Sequence, residues 1–231
     1  MLIIFGLGCD YLETGFFGTL FSPIEAVFSF VLSTLFAITS ATGIESYGLP
    51  IILLTIIIKI VLYPLTVKQV KSMKAMQELS PKMKKLQEKY KDNPQLMQQK
   101  LGEMYKEAGV NPLAGCLPLL IQMPILMAMY YSLFALDYPT PEAAQFLWIE
   151  SLKDPDPIYV LPVLSALTTF LQQKMTSTEM NQQMKMMMII MPLFIGWISL
   201  NFPSGLVLYW VTMNIVQIIQ QWWMYRGEDS K

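Results

Sequence analysis

A single lysine, Lys59, interrupts an otherwise apolar run that extends from Gly48 to Leu65. A run of about this length is typical of a transmembrane helix, which needs roughly 20 apolar residues to cross the hydrocarbon layer. A lysine near the middle of such a helix costs about 2.5 to 3.5 kcal/mol on insertion scales. A chain that carries this cost usually places water, a partner or a function at the charge. The run therefore predicts a membrane span with a special site inside it.

The alternative interpretation is that the Lys59 side chain snorkels to the nearer membrane surface. Lys68 begins a string of lysines and would mark the cytoplasmic edge of the span. In a straight helix the rise of about 1.5 Å per residue would put Lys59 about 13 Å below Lys68. Because an extended lysine covers only part of that distance, the sequence favours a functional or water-lined position over snorkelling.

The charges are very unevenly distributed along the chain. The 231 residues are 54% hydrophobic with a mean hydropathy of +0.43, which is typical of a polytopic membrane protein. Of 16 lysines and arginines, ten lie between Lys68 and Lys106, whereas Asp10–Glu45 and Asp137–Asp156 together hold nine acids and one lysine. The positive-inside rule places residues 68–110 in the cytoplasm and both acidic segments outside.

Several kinds of chemistry are disfavoured by the residue types present. The chain has no histidine, so no Ser-His-Asp or Cys-His catalytic set exists. Its two cysteines, Cys9 and Cys116, are far apart and support neither a disulfide framework nor a metal site. No phosphate-binding G-x-x-x-x-G-K-[ST] loop is present, and the predicted spans hold no acid. We therefore expect no enzyme activity, no cofactor, no metal and no nucleotide hydrolysis.

Further apolar stretches predict additional membrane spans. They cover residues 114–136, 158–175, 185–200 and 205–223. Residues 22–41 are ambiguous, because polar and apolar side chains fall on opposite faces of a predicted helix. If that helix crossed the membrane, residues 1–21 would be cytoplasmic, although they hold two acids and no base. We therefore predict an interfacial amphipathic helix on the outer side, five spans, an outside amino terminus and a cytoplasmic carboxyl terminus.

The first residues give two alternatives for the amino terminus. Met1–Gly8 is apolar but short and has no basic residue, which makes it a poor secretory signal. Cys9 would be the lipidated residue if Gly8-Cys9 ended a lipoprotein signal, although the missing bases and Gly6 weaken this interpretation.

The basic segment 68–110 has the pattern of a two-helix hairpin. Ser80-Pro81 resembles a helix start, Asp92-Asn93-Pro94 a turn, and Gly109 a helix stop. Two apolar stripes at helical spacing would face each other: Met83, Leu86 and Tyr90 on the first helix, and Met97, Leu101, Met104, Tyr105 and Ala108 on the second. The lysines on its outer face would contact anionic lipid, a ribosome or a substrate, or simply be solvated.

Polar residues recur at helical spacing within the predicted spans. They are Thr55, Lys59, Tyr63 and Thr66; Gln122; Ser165, Thr168 and Gln172; and Trp210, Asn214, Gln217 and Gln221. Interhelical hydrogen bonding would explain any one of them. Prolines at 64, 118, 124, 162 and 192 would kink the helices and leave gaps between them. Together, these polar faces around one unpaired cation predict a water-filled cavity that is open to the cytoplasm and closed toward the outside.

Three motifs resemble those of a known family. They are Asn111–Pro118 (NPLAGCLP), continuing to Gln122–Ile125 (QMPI); Leu62–Gln69 (LYPLTVKQ); and Pro203–Asn214 (PSGLVLYWVTMN). In this order they resemble the signature of the YidC/Oxa1/Alb3 membrane insertases and cover about residues 45–223.

This resemblance implies an all-α polytopic membrane protein with five transmembrane helices, a cytoplasmic two-helix hairpin and a hydrophilic groove that carries one positive residue in the first span. Lys59 matches that residue, which is Arg in many bacterial relatives; Lys keeps the charge but lacks the planar guanidinium. Gln122, Gln172, Trp210 and Asn214 match other groove positions, and Thr55 shares the face of Lys59.

The expected organisation follows the chain in five parts. Residues 1–47 form an extracytoplasmic segment with the interfacial helix, 48–67 the first span, 68–110 the hairpin, 111–223 the insertase core of four spans, and 224–231 a short cytoplasmic tail. The chain lacks the large extracytoplasmic domain of Gram-negative relatives, so it is most similar to the short form of Gram-positive bacteria.

The resemblance implies a membrane protein insertase and chaperone in the bacterial plasma membrane. Its partners would be nascent membrane proteins and membrane lipids, with the ribosome and the Sec translocon as further candidates and no direct nucleic-acid substrate. The charge of Lys59 would be held by water and by neutral groups such as Thr55, Gln122 and Gln172. The alternative is a small-anion transporter or channel with Lys59 as its binding cation, which the absence of a transporter-like internal repeat disfavours.

Overall fold

The computed structural model describes residues 16–110, 117–176 and 182–228, and these are helical apart from short connections. The helices are α1 (Phe16–Ala41), α2 (Gly48–Val61), α3 (Tyr63–Lys89), α4 (Pro94–Glu107), α5 (Leu117–Ala135), α6 (Pro141–Ala144), α7 (Val160–Thr176), α8 (Gln182–Ser199) and α9 (Ser204–Glu228). Within the described ranges the extended pairing is limited to one isolated bridge between Phe146 and Ile149. The prediction of an all-α chain is confirmed.

Helix α9 lies at the centre of the bundle. It packs against α2 and α7, while α8 packs on α7, and α1 packs on α5 and α2. The amino-terminal part of α9 is buried, and Tyr209 is only 1% exposed. Helices α7 and α8 approach closely at Gly196, where a Cβ atom would lie 2.9 Å from that of Ala166. Small residues at such a crossing allow membrane helices to pack backbone to backbone.

The first predicted span is broken at Leu62. Helix α2 ends at Val61, and α3 starts at Tyr63 with its axis bent by 65°. Pro64 explains the bend, because it has no N–H for the carbonyl of Ile60 and its ring collides with that carbonyl. Residues 63–67, which were predicted to be the end of the first span, therefore belong to the long helix α3 that continues into the basic segment.

The bend also changes the depth of Lys59. With a rise of about 1.5 Å per residue, the separation between Lys59 and Lys68 along the α2 axis falls to about 8 Å. The estimate of 13 Å was too large because it assumed a straight helix. Depth alone therefore no longer disfavours snorkelling, and the role of Lys59 depends on the contacts of its side chain.

The predicted helix start at Ser80-Pro81 is wrong. Helix α3 is continuous from Tyr63 to Lys89, and Pro81 lies inside it. The residues on both sides are mostly lysine, methionine, glutamine, glutamate and leucine, which are strong helix formers. They carry the helix through a proline that removes only one internal hydrogen bond.

The turn that follows α3 agrees with the sequence pattern. The Asn93 side chain accepts a hydrogen bond from the Leu96 amide at 3.1 Å and caps α4, while Gly109 adopts a φ of +64° just after the end of α4. The Tyr105 hydroxyl lies 3.6 Å from the sulfur of Met83 and joins the two apolar stripes. Helices α3 and α4 therefore fold back on each other, although α4 has no fully buried side chain.

Helix α1 packs on one end of the bundle. The Ser132 hydroxyl, near the end of α5, donates to the Glu25 carbonyl at 3.2 Å. The Phe36 ring stacks on Tyr47, which directly precedes α2, with a centroid distance of 4.2 Å. Both contacts lie where α5 ends and α2 begins. The interfacial position of α1 stays a prediction, which these contacts favour.

Length and composition alone give few membrane spans in the described part of the chain. Ser22–Ala41 of α1 is long and apolar enough to cross a membrane, and the bent pair α2–α3 passes only if it is counted as one broken span. Leu120–Ala135 and Met188–Ser199 are apolar but shorter. The count of five spans therefore stays a prediction, and α1 could cross on these criteria alone.

Residues 137–159, which we call the plug segment, cover the end of the bundle where α5 ends and α7 begins. Its buried anchor is Asp156, which is 3% exposed. The Asp156 carboxylate accepts hydrogen bonds from the Trp148 indole at 2.9 Å, the Ile158 amide at 3.2 Å and the Leu161 amide at 2.7 Å. One side chain thus ties the plug segment to the first turn of α7.

Two further contacts hold the plug segment against the bundle. The Lys153 ammonium donates to the carbonyls of Leu136 at 2.7 Å and Phe134 at 3.2 Å, at the carboxyl end of α5. The Phe146 ring lies against the backbone of Gly48, where an added Cβ would be only 2.0 Å from a ring carbon. Glycine is therefore required at the start of α2 for this approach, which places the plug segment directly against the amino-terminal end of α2.

Candidate binding groove

A cavity of about 360 Å³ lies between the helices, away from the plug segment. Six helices contribute to it: α2, α3, α5, α7, α8 and α9. Its polar or charged lining residues are Thr55, Lys59, Thr66, Gln69, Gln122, Thr169, Gln172, Gln173, Tyr209, Trp210, Asn214, Gln217 and Gln221. Lys59 is the single charged residue among the described residues that line the cavity.

All six residues predicted for the groove line this cavity. Thr55 and Lys59 come from α2, Gln122 from α5, and Gln172 from α7; Trp210 and Asn214 both come from α9. Residues three or four apart share one face of a helix, so each polar stripe can point as a unit toward the common centre. The structure therefore brings together residues that lie up to 159 positions apart in the sequence.

The half-buried Lys59 is held at two points by α9. Its ammonium group donates to the Gln217 side-chain carbonyl at 2.6 Å. The backbone carbonyl of Lys59 accepts a hydrogen bond from the side-chain amide of Gln220 at 3.2 Å. That carbonyl lies in the last turn of α2, where intrahelical donors run out. Residue 59 is thus fixed through both its side chain and its backbone.

A second set of hydrogen bonds joins α9 to α7. The Asn214 amide donates to the hydroxyls of Thr168 at 3.2 Å and Thr169 at 2.9 Å. The Trp210 indole also donates to Thr169, at 3.1 Å. These bonds orient the Trp210 ring and the Asn214 amide, so this wall of the groove is organised before any ligand arrives.

Gln122 and Thr55 contribute differently from what was expected. The Gln122 amide donates to the Tyr209 hydroxyl at 2.7 Å, which joins α5 to α9. The Thr55 hydroxyl donates to the Ile51 carbonyl of its own helix at 2.7 Å, and the residue is 1% exposed. The acceptor that the structure records for the Lys59 ammonium is Gln217.

Sequence reasoning missed several lining residues. They are Gln69, Thr169, Gln173 and Tyr209, together with Gln220, which contacts the Lys59 backbone. A signal existed for Gln69, because it continues the α3 spacing three residues beyond Thr66. The pairing of Gln217 with Lys59 has no sequence signal, since it depends on how α2 and α9 are offset along their axes.

The remaining site predictions concern lipidation and metals. Cys9 and Cys116 lie outside the residues that the structure describes. Within the described ranges, no group of three or more His, Cys, Asp or Glu side chains is placed to hold a metal ion.

The exteriors of α7 and α8 contrast with the groove. Their exposed side chains include Val163, Leu167, Ile189, Ile190, Leu193 and Trp197, each between 50% and 65% exposed. Large apolar side chains exposed in this number on two neighbouring helices are typical of a surface that contacts lipid. The cavity therefore has a charge and polar groups in its lining, whereas the outer faces of α7 and α8 are apolar.

Comparison with known proteins places these features in a family. Residues 37–231 match the family model described as the 60Kd inner membrane protein. The membrane protein insertase YidC of Fusobacterium nucleatum is 46% identical over 188 residues, covering 81% of this chain and 90% of the relative. That of Oceanobacillus iheyensis is 46% identical over 208 residues, covering 83% and 80%. That of Geobacter sulfurreducens is 44% identical over 183 residues, which cover 79% of this chain but only 34% of the relative.

A solved structure agrees with these sequence relatives. A crystal structure of an active YidC insertase, with its first transmembrane domain resolved, superposes with a TM-score of 0.65 and 27% sequence identity. The match covers 94% of this chain and 49% of that chain, so this chain spans about half of the protein in that structure. The fold, the family model and the relatives agree, and the chain belongs to the YidC family of membrane protein insertases.

Proposed function

We propose that this chain integrates membrane proteins through its groove, with Lys59 as the charge that attracts incoming hydrophilic tails. The observation that carries the proposal is the single cation in a cavity that is lined by amide, hydroxyl and apolar side chains, between helices with many exposed apolar side chains. No acid lines the described part of that cavity, so an acidic substrate would supply the opposite charge. A permanent internal partner would have cancelled this attraction.

The geometry suggests a sequence of events without nucleotide hydrolysis. A short hydrophilic tail enters the groove, and its carboxylates approach the Lys59 ammonium, which has three N–H donors. The following hydrophobic segment moves along the apolar exterior of the helices into lipid. Burial of apolar surface contributes about 25 cal/mol per Å². An inside-negative membrane potential adds about 2.3 kcal/mol per 100 mV for each negative charge that crosses.

The remaining parts of the chain fit this proposal. The α3–α4 hairpin would lie in the cytoplasm, where its lysines would meet nascent chains, anionic lipid, the ribosome or the Sec translocon. The plug segment would close the groove toward the outside. This arrangement leaves the groove accessible from the side on which proteins are synthesised.

Cysteine labelling tests this topology. In a chain whose native cysteines are replaced, a membrane-impermeant maleimide should label Glu142→Cys in intact cells, because Glu142 is exposed on the plug segment. Lys84→Cys, on the hairpin, should react only after the membrane is opened. The reverse labelling pattern would place the hairpin outside and remove the basis for a groove open to the cytoplasm.

Reconstitution tests the function itself. Purified protein in liposomes should integrate a small single-span protein with an acidic amino-terminal tail, measured as protease protection of the inserted segment. Protein-free liposomes correct for spontaneous insertion. The alternative function, small-anion transport, predicts uptake of a labelled anion and no gain in insertion. That result would overturn the proposal.

A further inference from the structure

The Gln217 side chain lies beside the Lys59 ammonium, at a position that a substrate carboxylate would need in order to contact that ammonium. Its side-chain carbonyl already accepts a hydrogen bond from the Lys59 ammonium at 2.6 Å, across the groove from α9 to α2. A hydrogen bond from a charged donor is stronger than one between neutral groups, yet weaker than a bond between ammonium and carboxylate. The contact is thus strong enough to orient Lys59 and weak enough to be exchanged.

We propose that Gln217 is a positioning and specificity-determining residue: its neutral carbonyl holds the groove cation at rest and yields it to the carboxylates of an incoming tail. This inference rests on the proposed function of the groove. It explains why the Lys59 ammonium is bonded to a neutral side chain and not to an acid. The ammonium gains free energy by leaving a neutral acceptor only when the new acceptor is charged. Substrates with acidic tails would therefore be selected over substrates without them.

The neighbouring contacts support this role for Gln217 in particular. Gln220, one turn further along α9, bonds the Lys59 backbone and keeps the two helices in register. Displacement of the Gln217 contact would therefore free the ammonium without separating α2 from α9. Asn214, one turn before Gln217, is 5% exposed, and its side-chain amide donates hydrogen bonds to α7 and not to the Lys59 region.

The absence of a nearby acid is equally important. Among the described residues that line the cavity, Lys59 carries the only charge, and the other polar groups are amides, hydroxyls and an indole. An acid at position 217 would pair with Lys59 permanently and occupy the site that the substrate needs. The neutral amide has the length of glutamate without its charge, which makes Gln217→Glu a nearly isosteric test.

The experiment compares two single-span substrates in liposomes, one with two aspartates in its tail and one with two asparagines at the same positions. Gln217→Glu should slow insertion of the aspartate substrate about tenfold. The substrate would then have to displace an ion pair between Lys59 and the introduced carboxylate instead of a neutral hydrogen bond, and an extra cost of about 1.4 kcal/mol corresponds to a factor of ten. The asparagine substrate should be slowed less, because its tail brings no carboxylate that must displace the ion pair. Gln217→Met, which keeps the length but removes the acceptor, should not slow the aspartate substrate more than the asparagine substrate, because methionine does not compete with a carboxylate for the ammonium.

Gln220→Met is the matched control on the same helix. It removes the backbone contact but keeps the Lys59–Gln217 bond, so any loss should fall equally on both substrates. Equal loss on both substrates for Gln217→Glu, no loss for it, or a selective loss for Gln217→Met would overturn the inference. Those results are distinct from failure of the proposed function, in which the wild-type protein itself inserts neither substrate.

Discussion

Replacing Lys59 by glutamate should abolish insertion of substrates with acidic tails. Like charges about 4 Å apart repel by about 4 kcal/mol at an effective dielectric constant of 20. Even half of that energy lowers an equilibrium or rate about thirtyfold. The half-buried position between α2 and α9 limits solvent screening, so the effect should be large.

Three substitutions at this position separate charge from structure. Lys59→Arg should retain activity because both side chains are cations. Lys59→Ala should weaken insertion of acidic-tail substrates most and spare substrates whose tails are uncharged. The measurement is the insertion rate of a matched acidic and neutral pair by each variant. If Lys59→Glu inserted the acidic substrate as fast as wild type, snorkelling would be the better account of Lys59.

Replacing Asp156 by alanine should cause the largest loss of stability outside the groove. The substitution leaves the Trp148 indole and two backbone amides without their acceptor, and the Asp156 site is only 3% exposed. Hydrogen bonds to a charged group contribute about 1.5 to 3 kcal/mol each. In the alanine variant, water that enters the vacated site would replace part of these hydrogen bonds. We expect a net loss of about 2 to 4 kcal/mol, measured as a lower midpoint of thermal unfolding in detergent.

Asp156→Asn provides the control for this prediction. Asparagine keeps one carbonyl oxygen and nearly the same shape, so it should lose less than half as much stability as alanine. Both variants should leave the hairpin helices intact, since no described contact joins Asp156 to them. A midpoint for Asp156→Ala within about 1 °C of wild type would show that the Asp156 hydrogen bonds do not stabilise the plug segment, which the Lys153 and apolar contacts would then hold.

The groove was predictable from the sequence because its residues follow helical spacing. Lys59, Asn214 and Gln172 lie on polar faces of otherwise apolar helices, and such faces have only the bundle interior to point toward. The carboxyl-terminal helices also begin near the predicted bounds, since apolar runs and flanking polar residues mark their ends. Local patterns were sufficient for these features.

The effect of each proline on its helix could not be predicted from the local sequence, because it depends on contacts with distant parts of the chain. Pro64 and Pro81 have the same chemistry, yet α2 breaks near the first and α3 continues through the second. The first bend is accommodated because Gln220, from a helix far along the chain, bonds the carbonyl of Lys59 that the bend frees. The network around Asp156 likewise depends on the folded path of the plug segment.

The break at Leu62 has a consequence for how a bilayer tolerates the groove cation. It turns position 59 from the middle of a long helix into the last turn of a short one. The aligned peptide dipoles of a helix place about half a negative charge at its carboxyl end. Lys59 therefore lies in a favourable backbone field that involves no acidic side chain. If the groove works as proposed, the backbone would stabilise the ammonium group within the membrane, and no counterion would have to leave before an arriving chain binds.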